Sequence, residues 1–298
     1  MLLLKHVMKV IRPKNSQLTI KIILYSIILI LVSIILFGGY SYLDLELLIK
    51  KQVQSEITKE NAVKSAGAIK EIRRKQPVYI DLPGAKQIRA IVEDYSLTES
   101  IWHVVSKTSP ISVDYVPTSI KIPDVATRTD KSNDERSLRT DIEKPMVDMF
   151  AAALVDGYHL LIGSGYRSAN LQSIYYNSLS NAIGAAAANL SIALPGQSEH
   201  QTGLAADIST LSRECYIDTC FATTGDGVWL ANNSYRFGFI LRYPSGKESI
   251  TGYNYEPWHF RYVGVDLATA LYESGLTLDE ALPYLQTAND TLRHNGAI

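Results

Sequence analysis

The sequence has almost no net charge and no repeated segment. It contains 29 Lys and Arg against 30 Asp and Glu, a formal net charge of −1 at pH 7. There is therefore no global basic excess of the kind that indicates nucleic-acid binding. No internal repeat or extended low-complexity tract occurs either. With 298 residues, 46% of them hydrophobic, the composition indicates an ordinary globular chain of one to two domains plus an apolar segment.

Histidine is scarce, and most of the histidines stand alone. The chain has 6, and a lone histidine is more often a packed or surface residue than a ligand. We interpret four of them in that way: His6, His103, His159 and His294. The other two, His200 and His259, each have acidic partners at motif spacing, which favours a functional role.

Two short motifs carry the potential chemistry. Residues 198–207 read Ser-Glu-His-Gln-Thr-Gly-Leu-Ala-Ala-Asp, and Glu-Pro-Trp-His follows at positions 256–259. Together they offer His200, Asp207 and His259 as ligands for one divalent metal. A hydrolytic zinc ion takes three such ligands and keeps one position for water. A further carboxylate must then move the proton, and Glu256 is placed for that role.

The local sequence around these motifs predicts strands with an irregularity. Leu204 to Ile208 is typical of a short buried strand that carries a ligand. Because residues three apart on a straight strand face opposite ways, Glu256 and His259 can serve one metal only if the chain turns between them. Pro257 suits such a turn. We expect a hairpin of residues 239–243 and 252–263 to bring this pair to the metal.

These motifs, with Ser-Gly-Tyr-Arg-Ser at 164–168, resemble the zinc D-alanyl-D-alanine carboxypeptidase family. That family includes VanY-type enzymes and peptidoglycan L,D-carboxypeptidases. The likeness covers about the last two thirds of the chain, including Tyr-Val-Pro at 115–117 and the run from Gly238 to Pro244. It implies one zinc ion on the predicted ligands, Glu256 as general base and acid, and Arg167 on the substrate's carbonyl oxygen or terminal carboxylate.

Two further residues are candidates for binding substrate. Gln172 lies one turn from Arg167 along a predicted helix over 169–181. It either reaches the same substrate carboxylate or is a solvated glutamine. Ser198, the first residue of the metal motif, is the other candidate. The alternative role for Arg167 is a surface ion pair. A guanidinium group can, however, donate two parallel hydrogen bonds to a planar carboxylate, which favours substrate binding.

The amino-terminal region predicts a membrane anchor. Residues 1–21 contain five basic residues and no acidic one, and an uncharged run follows from Ile22 to Leu43. As a helix this run would span roughly 33 Å, enough for a hydrocarbon core of roughly 30 Å. The basic flank places residues 1–21 in the cytoplasm and the catalytic domain outside a cell membrane crossed once. A cleaved signal peptide is the alternative, for which Gly38 to Ser41 is only a weak exit site.

The remainder predicts a stalk followed by an α+β domain. Residues 44–100 indicate an extracytoplasmic stalk or linker, helical to about Lys75, and the zinc carboxypeptidase domain is expected at 101–298. We predict an exposed loop over 127–139, a helix from Ile142 to Ala153, and a terminal helix opened by a capping box at 277–280. The predicted fold is helices around a small, mainly antiparallel sheet that holds the zinc site.

The chain has only two cysteines, and both lie in one polar insertion. Cys215 and Cys220 fall between Asp207 and Trp229. Outside a membrane, a local disulfide is the best explanation. A second zinc site is the alternative, but no other Cys or His lies near in sequence. A loop so close to a metal ligand is expected to border the cleft.

The combined prediction is a zinc metallopeptidase that removes the C-terminal D-alanine from peptidoglycan stem peptides. Two alternatives stay open. One is an endopeptidase that cuts cross-bridges within the network. The other is a non-catalytic cell-wall binding module, which would be expected to have lost a ligand or Glu256, and neither is lost.

Overall fold

The computed structural model describes residues 42–298. The predicted cytoplasmic segment and nearly all of the predicted membrane segment, 22–43, lie outside these residues. Among residues 42–298, no helix is both long enough and apolar enough to cross a membrane. The chain divides after Gln76 into two compact units.

The described part of the first unit is a single long helix. Helix α1 spans Tyr42–Lys75, as predicted for this stretch. Its few apolar residues are largely exposed, including Val63, Ile69 and Ile72. Polar residues occupy most of the other positions, so the helix has no broad apolar face for a core of its own.

The second unit, Pro77–Ile298, contains short strands and helices in mixed order. Its strands are β1 (Tyr79–Ile80), β2 (Ile88–Arg89), β3 (Ile120–Lys121), β4 (Leu138–Arg139), β5 (Leu160–Ser164), β6 (Ala205–Thr210), β7 (Phe239–Leu241) and β8 (His259–Tyr262). Its helices are α2 (Asn133–Arg136), α3 (Glu143–Val155), α4 (Ala169–Ile183), α5 (Ala185–Ser191), α6 (Gly225–Asn233), α7 (Glu248–Thr251), α8 (Val265–Ser274) and α9 (Leu278–His294).

A four-stranded antiparallel sheet forms the centre of this unit. Its strand order is β5-β6-β8-β7, and every neighbouring pair is antiparallel. All six residues of β6 are buried, because this strand has neighbours on both edges and packing on both faces. The prediction of an α+β fold with a small antiparallel sheet is confirmed. Strands β7 and β8 pair as expected. The second arm is shorter than the predicted 252–263, because α7 and an irregular segment over 252–258 precede β8.

One hydrophobic core lies between this sheet and α3. Met146, Met149, Phe150 and Ala153 are the buried residues of α3, at the helical spacing that the sequence shows. They share a cluster with apolar residues of β5, β6, β7 and β8, such as Phe260. The predicted helix over 142–153 is confirmed, with its first turn formed by a 3-10 segment at Thr140–Ile142.

A second core places the start of the compact unit earlier than the sequence analysis does. Val78, Ile80 and Leu82 are buried in a cluster with residues of α8 and α9. The unit therefore begins at Pro77 and not near Ile101. The apolar residues involved are separated by polar ones in sequence, and their partners lie near the carboxyl end of the chain. The predicted capping box does open α9, through Thr277 and Glu280.

The prediction of an exposed loop over 127–139 is wrong. The segment forms α2 and β4, and Glu135, Leu138 and Arg139 are buried. Ser132 and Glu135 make a capping box at the start of α2, a helix signal that the high charge of this stretch concealed. Strand β4 then pairs with β3, and Leu138 of β4 packs in the core with residues of the central sheet.

Candidate metal and catalytic site

Sheet register and one tight turn bring the three predicted ligands together. Asp207 on β6 is the direct cross-strand partner of His259 on β8. His200 lies in the 3-10 turn Glu199–Thr202 immediately before β6. His200 Nε2 is 3.3 Å from Asp207 Oδ2, and His259 Nδ1 is 3.3 Å from Asp207 Oδ1. One ligand atom from each residue lies within 4.8 Å of the others.

A backbone contact orients the ring of His200. Its Nδ1 is 2.7 Å from the carbonyl oxygen of Gly165. A carbonyl oxygen only accepts, so Nδ1 carries the proton and Nε2 offers its lone pair toward Asp207. Burial lowers the pKa of His200, which favours the neutral ligand form. Gly165 has no room for a side chain, because a Cβ there would be 2.3 Å from the carbonyl oxygen of Ser137.

Negative groups surround His259. Burial alone would lower the pKa of its imidazole, but Asp207 and Glu199 outweigh burial and raise the pKa to about 9. Carboxylates thus favour positive charge at this position. A divalent cation at the same place would meet the same favourable charge.

The donor set and an unpaired oxygen fit a metal ion. Oδ1 of the buried Asp207 has no hydrogen-bond partner, although unpaired buried polar atoms are costly. Interactions with His200 and His259 outweigh the effect of burial and hold the pKa of this carboxyl well below its usual range. Two imidazole nitrogens and one carboxylate are a common ligand set for catalytic zinc. Within residues 42–298, His200, Asp207 and His259 are the one group of this kind.

Glu256 lies beside the ligands on a turn. The backbone NH of His259 donates to the carbonyl of Glu256 at 3.1 Å, which is the predicted turn between them. This bend places Glu256 Oε2 3.5 Å from His259 Nδ1. Burial raises the pKa of the Glu256 carboxyl to about 7. A carboxyl with a pKa near neutrality can both accept and release a proton.

Arg167 follows the end of β5 and lies against the metal ligands. Its Nη2 donates to Ser164 Oγ at 2.9 Å, and its Nη1 donates to Gln172 Oε1 at 3.1 Å. Nη2 is also 3.6 Å from Asp207 Oδ2. Nε is buried with no hydrogen-bond partner. The guanidinium is therefore held inside the site, and the alternative of a surface ion pair is wrong.

Gln172 holds Arg167 from the neighbouring helix. It is 1% exposed, so the alternative of a solvated glutamine is wrong. Its amide donates to the carbonyl of Ala193 at 2.7 Å, which turns its oxygen toward Arg167. The contacts give it a clear part in positioning Arg167, whereas direct contact with a substrate stays a prediction.

A cleft of about 370 Å³ opens onto these residues. Ser198, predicted to bind substrate, lies in its wall, and so does Trp258. The other lining residues include basic and aromatic side chains: Arg128, Lys131, Tyr175, Tyr243 and Tyr253. The cleft thus combines apolar surfaces with a few convergent polar groups, as small-ligand sites commonly do.

The cysteine insertion forms part of the cleft wall. Cys215 and Cys220 are joined by a disulfide, as predicted, which removes both from a second zinc site. Tyr216 and Ile217 line the cleft. Non-glycine residues with positive φ occur among the described residues only here, at Arg213, Cys215 and Ile217. Such conformations cost free energy and persist where surrounding structure imposes them.

A buried ionic cluster behind His259 was missed by the sequence analysis. Glu199 is completely buried, and its Oε1 accepts from Arg242 Nε and Arg261 Nη1, both at 2.8 Å. Burial alone would raise the pKa of Glu199, but the two arginines hold it well below its usual range. The only sequence signal for a role of Glu199 is its position next to His200 in the motif, and this signal is weak. The partners of Glu199 lie on and beside distant strands, and no local pattern connects them.

A family model and a curated relative match this chain. Residues 135–265 match the model described as VanY, D-alanyl-D-alanine carboxypeptidase. YodJ of Bacillus subtilis (strain 168) is 36% identical over 225 residues, which cover 75% of this chain and 82% of that protein. The family match contains all three ligand residues and Glu256.

Two solved structures are similar in fold and sequence. The LdcB LD-carboxypeptidase has a TM-score of 0.60 and 37% identity, covering 69% of this chain and 94% of its own. A mutant of the vancomycin resistance D,D-pentapeptidase VanY, in complex with Zn(II), has a TM-score of 0.50 and 35% identity. That match covers 61% of this chain and 98% of the VanY chain.

Proposed function

The chain belongs to the VanY D-alanyl-D-alanine carboxypeptidase family, and we propose that it is a zinc metallopeptidase that removes the C-terminal D-alanine from peptidoglycan stem peptides. The observation that carries this proposal is the convergence of His200, Asp207 and His259 on one point beside Glu256. Fold alone would not support a reaction, whereas a ligand set with an adjacent proton carrier does.

His200, Asp207 and His259 would hold the zinc ion. Zinc in such a site supplies Lewis acidity, which polarises a carbonyl group and makes water more acidic. Glu256 accepts the proton that the attacking water loses and passes it to the departing amine. Burial, which raises the pKa of Glu256 to about 7, suits both halves of this transfer, because neither state is strongly favoured near neutral pH.

Arg167 supplies a fixed positive charge on the same side of the cleft. Its guanidinium is oriented by Ser164 and Gln172 before any substrate arrives. It would hold the terminal carboxylate of the substrate or the oxygen on which negative charge develops. Preorganised donors of this kind need no rearrangement during the reaction, and losing one typically costs about 10²- to 10³-fold in rate.

The decisive experiment supplies the zinc-loaded full-length protein with defined stem peptides. We expect release of free D-alanine, loss of that release on chelation, and its recovery when zinc is restored. Tetrapeptide and pentapeptide stems, measured side by side, separate cleavage between an L and a D residue from cleavage between two D residues. The solved neighbours represent both specificities by name.

Two results would count against the proposal. If neither stem releases D-alanine in the presence of zinc, the carboxypeptidase assignment is wrong. If intact cross-linked muropeptides are cut faster than monomeric stems, as resolved by mass spectrometry, the protein is an endopeptidase. Zinc binding without cleavage of either kind would favour a binding module.

The proposal includes attachment to the outer face of a cell membrane. It is supported by the basic residues 1–21, the uncharged run 22–43 and the disulfide in the cleft wall, since disulfides persist in oxidising compartments. Membrane fractions should retain the full-length protein after alkaline extraction, and removal of residues 1–43 should release it. Recovery of the full-length protein in the soluble fraction would contradict the anchor.

A further inference from the structure

His259 presents its second ring nitrogen to a buried glutamate. Nε2 of His259 is 3.8 Å from Glu199 Oε2. Neither atom has a hydrogen-bond partner, although His259 is 4% exposed and Glu199 is completely buried. A buried carboxylate oxygen and a buried ring nitrogen that lack partners are each costly. Here the two unpaired atoms face each other.

The other oxygen of Glu199 is already fully used. Oε1 accepts one hydrogen bond from Arg242 and one from Arg261, each 2.8 Å long. These arginines are anchored in turn, Arg242 by Asp279 at the start of α9 and Arg261 by the carbonyl oxygens of residues 101 and 103. The carboxylate is thereby held rigidly, with Oε2 directed at His259.

We propose that Glu199 is a positioning residue that keeps the proton of His259 on Nε2. With a metal bound and that proton directed at Glu199, Nδ1 would offer its lone pair on the side that faces Asp207 and Glu256. A carboxylate behind a ligand histidine fixes its tautomer and ring orientation and makes it a stronger donor. This inference rests on the zinc site of the proposed function and not on the identity of the scissile bond.

The two histidine ligands would then use opposite nitrogens. His200 is fixed through Nδ1 by a backbone carbonyl and offers Nε2. His259 is fixed through Nε2 by Glu199 and offers Nδ1. The neutral carbonyl and the charged carboxylate are not equivalent, because only the carboxylate adds negative charge behind its ligand. Glu199 should therefore affect zinc affinity more than its role in the ionic cluster alone requires.

The test compares two isosteric changes in the same cluster. Glu199→Gln removes the charge behind His259, whereas the control Asp279→Asn removes a charge from the far side of Arg242. Zinc affinity of the full-length protein is measured by competition with a chelator. We expect Glu199→Gln to weaken it by about 10- to 100-fold and Asp279→Asn to leave it within about twofold of wild type. Equal losses in both variants would mean that the cluster acts only through stability, and would overturn the proposal.

A measurement without a variant covers the case in which Glu199→Gln fails to fold. A crystal structure of the zinc-loaded full-length protein should show zinc on Nδ1 of His259 and Glu199 Oε2 within hydrogen-bond distance of Nε2. Zinc on Nε2 would refute the proposal. If wild type binds no zinc, the proposed function fails with it. If wild type binds zinc tightly and a folded Glu199→Gln variant does so equally, only the role of Glu199 is refuted.

Discussion

Two parts of the cleft wall are built by different means. The metal side comes from β6, β8 and the turn before β6, where Asp207 and His259 are opposed by sheet register and buried. The cysteine loop, residues 211–224, is instead closed by the disulfide between Cys215 and Cys220. It contributes Tyr216 and Ile217 to the cleft. One region depends on contacts between distant segments and the other on a local covalent link.

The two regions therefore have different roles: the metal side holds the candidate ligands and proton carrier, and the cysteine loop encloses part of the cleft. On the metal side the candidate ligands are buried among charged side chains, and Glu199 lies between His259 and two arginines of the sheet region. The cysteine loop offers no ligand and no proton carrier among its described contacts. Changes on the metal side should therefore alter zinc binding or turnover, whereas changes in the loop should alter stability first.

The largest effect should come from a metal ligand. Asp207→Asn keeps the shape of the side chain but removes the charge that balances a cation, so D-alanine release should fall below detection and zinc content should drop. Metal analysis and the stem-peptide assay measure both. Asp218→Asn is the matched control in the cysteine loop, where an Asn can still cap the turn, and it should retain zinc. Normal zinc content and turnover in Asp207→Asn would show that Asp207 is not a metal ligand and that the two regions do not differ in this way.

Loss of the proton carrier should come next. Glu256→Gln is expected to lower kcat by about 10²- to 10⁴-fold, the usual contribution of general acid–base catalysis. Zinc content should stay at the wild-type level, because Glu256 lies beside the ligands and is not one of them. Glu248→Gln, in the short helix α7, controls for loss of a glutamate nearby. Unaltered kcat in Glu256→Gln would remove this residue from the mechanism.

Removal of the disulfide should have a moderate effect of a different kind. Changing Cys215 and Cys220 together to Ser should lower the free energy of unfolding by about 2 kcal/mol, the loop-closure value for so short a loop. Zinc content should be preserved, since no ligand lies in the loop. Urea unfolding of this variant, and of reduced wild type, measures the change. Loss of zinc as complete as in Asp207→Asn would show that the two regions are coupled.

The smallest effect should come from the polar rim beside Arg167. Tyr175 donates to Glu135 at 2.5 Å. Burial raises the pKa of Glu135, but hydrogen bonds from Lys131, Tyr175 and Ser132 outweigh it and lower the pKa to about 2. A lowered carboxyl pKa stabilises the folded state above the ordinary value of 4.5, and this stabilisation is lost as pH falls toward 2.

Tyr175→Phe should accordingly cost at most about 1 kcal/mol near pH 7, because the rim is partly open to solvent. The difference from wild type should shrink as the pH is lowered from about 5 to 2. Urea unfolding at several pH values measures it. A difference that grows on acidification would contradict the assigned sign.

Local signals in the sequence predicted much of the fold and the residues that converge at the candidate metal site. Helix α3 follows from apolar residues at helical spacing, and the start of α9 follows from its capping box. The pairing of Cys215 with Cys220 follows from their isolation in one insertion. Where charge concealed a local signal, as at the capping box of α2, the prediction of a loop was wrong.

The sequence by itself indicated which residues could hold a metal and which carboxylate is a candidate proton carrier, and it favoured a local disulfide between the two cysteines. Only the tertiary structure decided that Asp207 and His259 face each other, because strand register depends on packing of both sheet faces. Only it showed Glu199 between two arginines and behind a ligand histidine. A buried charge is tolerated only when oppositely charged groups pair with it. Here those groups come from distant parts of the chain, so no local sequence pattern predicts the pairing.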